Sequence, residues 1–218
     1  MKYYPINLCM KDRWCLIAGG GQVAFRKVNR LIQCEANIRI ISPQTEKRLQ
    51  EIASAANIEI VQRKIISQDL DGFFMIFAAT NDSLINESIA RWAVQKNILC
   101  NIADRPDDSD FILPSIIEQG DLNITISTNA KSPALSKYIA TQLQEIFGPE
   151  YGIFLKLMGK LRCLLSNEIT SQAERQKIYH DIVNSPILQW LKQNDMDSVS
   201  NTCLDLTGHS LADILNEQ

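Results

Sequence analysis

The chain has 218 residues, 45% of them hydrophobic, with 22 basic against 25 acidic side chains and a formal net charge of −3. That length suits one large domain, or a nucleotide-sized domain with a smaller addition, and the apolar content is enough for a packed core. No basic run forms a nucleic-acid track, no apolar run approaches membrane-spanning length, and residues 1–7 lack the pattern of a secretory signal, so a cytoplasmic protein with no nucleic-acid or membrane partner is expected.

The first predicted element is a short apolar strand, Trp14-Cys15-Leu16-Ile17-Ala18, running directly into Gly19-Gly20-Gly21 and then a helix over residues 22–34. The spacing Gly19-x-Gly21-x-x-Ala24 is the dinucleotide fingerprint: the first glycine makes the tight turn, the second lets backbone approach a pyrophosphate, and the small third residue permits close helix–strand packing. N–H groups at the new helix start face the anion. Residues 38–41 read as a second strand ended by Ser42-Pro43-Gln44, 45–56 as a helix, and 58–61 as a third strand. Asp69-Leu70-Asp71-Gly72 makes a turn before the buried run of residues 73–78, which reads as a central strand. Asn81 or Asp82 caps a helix running to Lys96, and a strand follows over 98–102. Strands alternating with helices predict a parallel sheet covered on both faces.

The pattern changes after Asp110. Residues 111–117 and 122–127 flank Glu118-Gln119-Gly120-Asp121 and predict a hairpin, after which Ser132 caps a helix with Pro133 in its first position, running to Phe147 before Gly148-Pro149. From Tyr151 onward only helices are predicted, one with the capping box Ser171-x-x-Glu174 and another starting at Ser185-Pro186. The expected fold class is therefore α/β: a Rossmann-like parallel sheet over 1–113, a hairpin-plus-helix module over 114–148, and an all-helical region over 149–218.

Several side chains could carry chemistry. Ser42-Pro43-Gln44 stands where the common dinucleotide fold places its ribose-binding acid, and the turn holds no arginine for a 2′-phosphate, which favours NAD over NADP; Arg39 in the preceding strand weakens that preference. Ala79 and Thr80 end the strand at the expected switch point, where small residues would admit a cofactor or simply close a capped turn. Asp104, just past the next strand, reads either as a general acid or base or as a turn former beside a solvated acidic loop of Asp107, Asp108 and Asp110. Ser127, Thr128 and Lys131, in the loop before a helix start, either bind carboxylates or simply form a capped loop, and Arg105 is a further candidate for a substrate carboxylate. The six cysteines form no C-x-x-C pair and read as reduced, mostly buried thiols. His180 and His209 are the only histidines, so no resident metal site is expected.

Taken together and in order, Pro5-Ile6, Gly19-Gly20-Gly21-x-Val23-Ala24-x-Arg26-Lys27, Ala78-Ala79-Thr80-Asn81-Asp82, Cys100-Asn101-x-x-Asp104, residues 111–117 and Ser132-Pro133-Ala134-Leu135 resemble the precorrin-2 dehydrogenase family, which also forms the N-terminal part of siroheme synthases. The resemblance covers residues 1–165. It implies NAD-dependent oxidation of precorrin-2 to sirohydrochlorin, in some members insertion of Fe²⁺ into that product, and a homodimer interlocked through the hairpin module. It further implies that Gln22 and Val23 lie at the pyrophosphate, Pro43 and Gln44 near the adenosine, and Asp104 at the reacting carbon as acid–base. The competing reading, from the fingerprint alone, is a non-enzymatic NAD-sensing regulatory domain; the Asp104 and Ser132-Pro133 segments favour the enzyme.

Overall fold

Side chains of β1 (Trp14–Ala18) alternate between two cores, Cys15 and Ile17 entering one while Leu16 and Ala18 enter the other, as the two-residue period of a strand requires. The computed structural model describes residues 3–216, which fall into two units divided between Leu113 and Pro114.

In the first unit α1 (Gln22–Gln33) presents Ala24, Val28 and Leu31 to the sheet at helical spacing and leads into β2 (Asn37–Ile41). α2 (Lys47–Ala55) and β3 (Glu59–Val61) follow, and a single 3₁₀ turn at Ser67–Leu70 precedes β4 (Met75–Ala78). α3 (Ser83–Lys96) and β5 (Leu99–Ile102) complete the sheet, whose order is β3-β2-β1-β4-β5, with every pairing parallel. α1 and α2 cover the face that carries Ile17, Ile40 and Phe77; α3 covers the face of Leu16, Ile76 and Cys100 through Ile89 and Ala93. Each fully buried aliphatic side chain contributes about 1.5–3 kcal/mol, so this double-faced burial makes the sheet the rigid part of the unit. The chain moves outward from β1 in one direction and then returns to start β4 on the other side. The reversal between β1 and β4 is where open sheets of this kind bind ligands.

The second unit begins with a hairpin, β6 (Ser115–Gln119) and β7 (Leu122–Ile126), packed on α4 (Pro133–Ile146). Its turn is tighter than the sequence predicts. Gln119 pairs with Leu122, leaving two residues in the loop, and Gly120 at φ +60° suits the first central position of a hairpin turn. The predicted strand over 111–117 likewise shortens to start at Ser115. Phe111 is instead engaged in the first unit, edge-on to Phe77 at 5.6 Å, with its carbonyl accepting from Asn101 Nδ2 at 2.9 Å. α5 (Glu150–Glu168), α6 (Gln172–Val183), α7 (Ile187–Gln193), α8 (Met196–Thr207) and α9 (Leu211–Asn216) surround a separate core. Its spine is Phe154, Leu157, Leu161 and Leu165, one stripe along α5. His209 in this region bonds Glu168 at 2.7 Å, a surface pair.

The helix caps refine the sequence reading. Asp82, not Asn81, caps α3, accepting from Leu84 N at 3.0 Å and Ile85 N at 3.3 Å, while Ser132 caps α4 through Leu135 N at 3.2 Å. All six cysteines are free, but the expectation that most are buried fails: Cys9, Cys34 and Cys163 are exposed because they sit on loop and helix surfaces outside the apolar stripes. Burial pushes the thiols of Cys15 and Cys100 up to about 12 and that of Cys203 to about 11, which leaves these three as inert core residues. Among the described residues no helix is long and apolar enough to cross a membrane.

Candidate functional site

Three glycines form the whole connection between β1 and α1, and they do different work. Gly19 has φ +128°, and a Cβ there would lie 2.2 Å from the Ala79 carbonyl oxygen, so only glycine lets the ends of β1 and β4 meet. At Gly20 a Cβ would sit 1.9 Å from Gln44 O and 2.8 Å from Ser42 Oγ, closing the turn against the loop after β2. At Gly21 it would meet only Glu46 Oε1, at 3.7 Å. The first two glycines are thus filled by this chain's own backbone, while the third opens outward. Among the described residues no side chain caps α1, so its first N–H groups, at Gln22 and Val23, have no side-chain acceptor; Ala24, fully buried, allows the helix to approach the sheet.

The loop after β2 is held by Ser42 Oγ, which donates to Gln44 O at 2.6 Å, with Pro43 and Gln44 exposed beside the glycine turn. An acid does stand two residues past this loop in the chain. Glu46, at the start of α2, brings its carboxylate beside Gly21, a placement no spacing rule singles out. Arg39 is occupied elsewhere: its Nε bonds Glu59 at 2.7 Å and its guanidinium lies over Trp14 and Phe73, both at 5.8 Å.

From Gly19 a continuous rim runs along the carboxyl ends of the strands. Ala79 N donates to Ala18 O at 2.8 Å, and Ala103 N donates to Ala78 O at 3.0 Å, so the loops after β1, β4 and β5 are joined edge to edge. Thr80 is tied down by Asn86, almost fully buried, whose Oδ1 accepts from Thr80 Oγ1 at 2.7 Å and whose Nδ2 donates to Thr80 O at 3.1 Å. Its hydroxyl is thereby spent on holding the loop, and its backbone N–H also donates to Asn86 Oδ1 at 3.2 Å.

Asp104 follows Ala103 on this rim, exposed, and its carboxylate makes no hydrogen bond or ion pair among the described residues. Arg105 is paired with Asp108 at 2.6 Å. The acidic stretch beyond is not merely solvated. β5 is an edge strand, and its outward N–H groups would be unpaired without partners. Asp110 Oδ2 accepts from Cys100 N at 2.8 Å and Ser109 Oγ from Ile102 N at 2.9 Å, so the loop folds back as a cap on that edge. Lys27, on α1, lies with its ammonium 5.5 Å from the Phe77 ring centre; burial, then the neighbouring Arg26 charge, lowers it to about 8.

In the second unit, taken by itself, Ser127 Oγ accepts from Asn129 N at 3.1 Å, and Thr128 Oγ1 exchanges bonds with Ser132 O and N at 3.0 and 3.1 Å. These hydroxyls shape the loop before α4. Lys131 in the same loop is exposed and carries no side-chain partner among the described residues. No group of three or more His, Cys, Asp or Glu side chains converges as a metal site among the described residues.

A five-stranded parallel sheet with an open glycine turn at its point of reversal defines a dinucleotide-binding α/β domain. The profile of the family described as "Putative NAD(P)-binding" matches residues 6–115, and the chain belongs to that family. It is 31% identical over 189 residues to the siroheme synthase of Nitrosococcus oceani, covering 87% of this chain and 40% of that protein. It is 30% identical over 203 residues to siroheme synthase 2 of Klebsiella pneumoniae, covering 93% and 44%. The chain thus spans about two-fifths of the length of these relatives. The solved structure of SirC, precorrin-2 dehydrogenase, shares the fold, with a TM-score of 0.76 at 23% identity over 91% of this chain and all of that one.

Proposed function

We propose that this chain oxidises precorrin-2 to sirohydrochlorin with NAD as the hydride acceptor, in the cytoplasm and as a homodimer. The observation that carries the proposal is the rim from Gly19 through Ala79 to Ala103, which puts an open dinucleotide turn and the uncommitted carboxylate of Asp104 on one edge of one sheet. The names of its relatives supply the substrate: siroheme synthases in sequence and a precorrin-2 dehydrogenase in fold.

The residues fit a dinucleotide. Gly21 has space for a pyrophosphate, with the α1 N–H groups behind it, and Pro43 and Gln44 flank the adenosine end. The turn after β2 offers a 2′-phosphate no arginine, and the one arginine of β2 is held by Glu59, so NAD is preferred to NADP. When bound, the nicotinamide supplies a two-electron acceptor. Asp104 takes the proton released as the hydride leaves the substrate carbon, a positioned general base.

Dimerisation follows from exposed apolar side chains. Leu135, Tyr138 and Ile146 on α4 and Ile116 on β6 are all exposed, and a two-stranded hairpin with one helix cannot bury them alone. A second copy would cover this face. Anaerobic incubation of the purified chain with precorrin-2 tests the function. Sirohydrochlorin absorbance should grow with NAD and more slowly with NADP; no product with either cofactor overturns the assignment.

A further inference from the structure

In the second unit α5 and α6 leave between them a groove of about 660 Å³ that neither the nucleotide turn nor the exposed face of α4 accounts for. Its apolar wall is Leu155, Met158 and Tyr179, and among the described residues the only charged side chains lining it are Arg162 and Arg175. The volume is that of a small-molecule pocket.

Two features of its lining bear on what it could hold. Gly159 lies in the middle of the 19-residue α5, where glycine costs roughly 1 kcal/mol relative to alanine, yet a Cβ there would meet nothing within 4 Å. Gly152 in the same helix shows the contrast: its Cβ would strike Gln119 O at 2.9 Å, so that glycine is demanded by the hairpin turn resting on it. Gly159 is exposed in the groove, and no described residue occupies the space over it.

The second observation is the state of the two arginines. Arg175 is pre-oriented, its Nη1 donating to the carbonyls of Ile169 and Thr170 at the end of α5, which leaves the rest of the guanidinium fork unpaired with any carboxylate. Arg162 has no hydrogen bond or ion pair among the described residues. Two guanidinium groups with no acid between them, beside an apolar wall with an aromatic ring, match a ligand that has a flat apolar body and carboxylates at its edge.

We infer that the α5–α6 groove is a binding site for an aromatic or similarly flat organic carboxylate, seated over Gly159 with its charge on Arg162 and Arg175. The site lies wholly within the second unit and does not depend on the catalytic proposal.

Calorimetry on the full chain with a naphthalene dicarboxylate tests it, using the corresponding diamide as an uncharged isostere and inorganic phosphate as a bare anion. The dicarboxylate should bind, and both controls should bind at least about tenfold more weakly. Arg162→Gln should weaken it by about tenfold. Gly159→Leu should abolish binding while the circular dichroism spectrum stays that of the wild type. Gly159→Ala should raise the unfolding temperature, because nothing in the chain requires the glycine. Phosphate binding as tightly as the dicarboxylate, binding undiminished in Gly159→Leu, or a lower unfolding temperature in Gly159→Ala would each overturn the inference.

Discussion

Two side chains in the first unit are exposed to test at the scale of single residues. Asp104 is placed by the bond between Ala103 N and Ala78 O and has no side-chain partner among the described residues, so Asp104→Ala should leave the unfolding temperature and NAD affinity unchanged. Turnover of precorrin-2 should fall by about 100-fold or more, the loss expected when a positioned general base is removed. Steady-state rates beside an NAD titration check both halves. Lys27 carries the opposite kind of signature. Its folded value of about 8 lies below the ordinary lysine value, so below pH ~8 the fold holds an ammonium it would sooner leave in water. As pH rises from about 8 to about 10.4 the folded chain gives up this proton before the unfolded chain does, and the cost is relieved. Lys27→Met should therefore be more stable than the wild type near pH ~7, by about 1–3 kcal/mol, with the gap closing toward pH ~10. Urea unfolding at both pH values measures it, and a gap independent of pH would refute the placement of that ammonium.

Among the elements, β5 is the one whose integrity depends on groups outside regular structure. As the outer strand it relies on Asp110 and Ser109 to satisfy Cys100 N and Ile102 N, and Asp104 hangs from its end. Asp110→Ala should cost roughly 1–2 kcal/mol by leaving a backbone donor without its partner. Faster hydrogen exchange at Cys100 should accompany the loss; unchanged exchange there would show that the cap does not protect the edge. The elements also show what could be read in advance. The alternation of β1, the Ala24-Val28-Leu31 stripe and the Asp82 and Ser132 caps are local patterns, and each produced its element within a few residues. What the pattern could not reveal are bonds from a side chain to distant backbone. Asn86 pinning Thr80, Asp110 capping β5 and Glu46 reaching Gly21 each depend on how a loop folds back, and none leaves a period or motif. Phe111 misled for the same reason: an apolar residue before a strand reads as part of it, whereas its ring is claimed by Phe77.

For the molecule as a whole, the exposed apolar face of α4 and β6 predicts self-association. Sedimentation at micromolar concentration should show a dimer, and Tyr138→Asp, which places a charge in the middle of that face, should shift it to monomer by disfavouring burial; a wild-type monomer would defeat the assembly proposed here. The glycine turn itself was legible by spacing, but the division of labour within it was not, because the atoms that crowd Gly19 and Gly20 come from the loops after β4 and β2. That division yields the sharpest test. Calorimetric titration of NAD into wild-type chain and Gly21→Gln, both verified as folded, should show binding in the first and none in the second, since the new side chain enters the space beside Glu46 that the proposal gives to the pyrophosphate. Equal NAD affinity in the two proteins would contradict the placement of the cofactor at this turn.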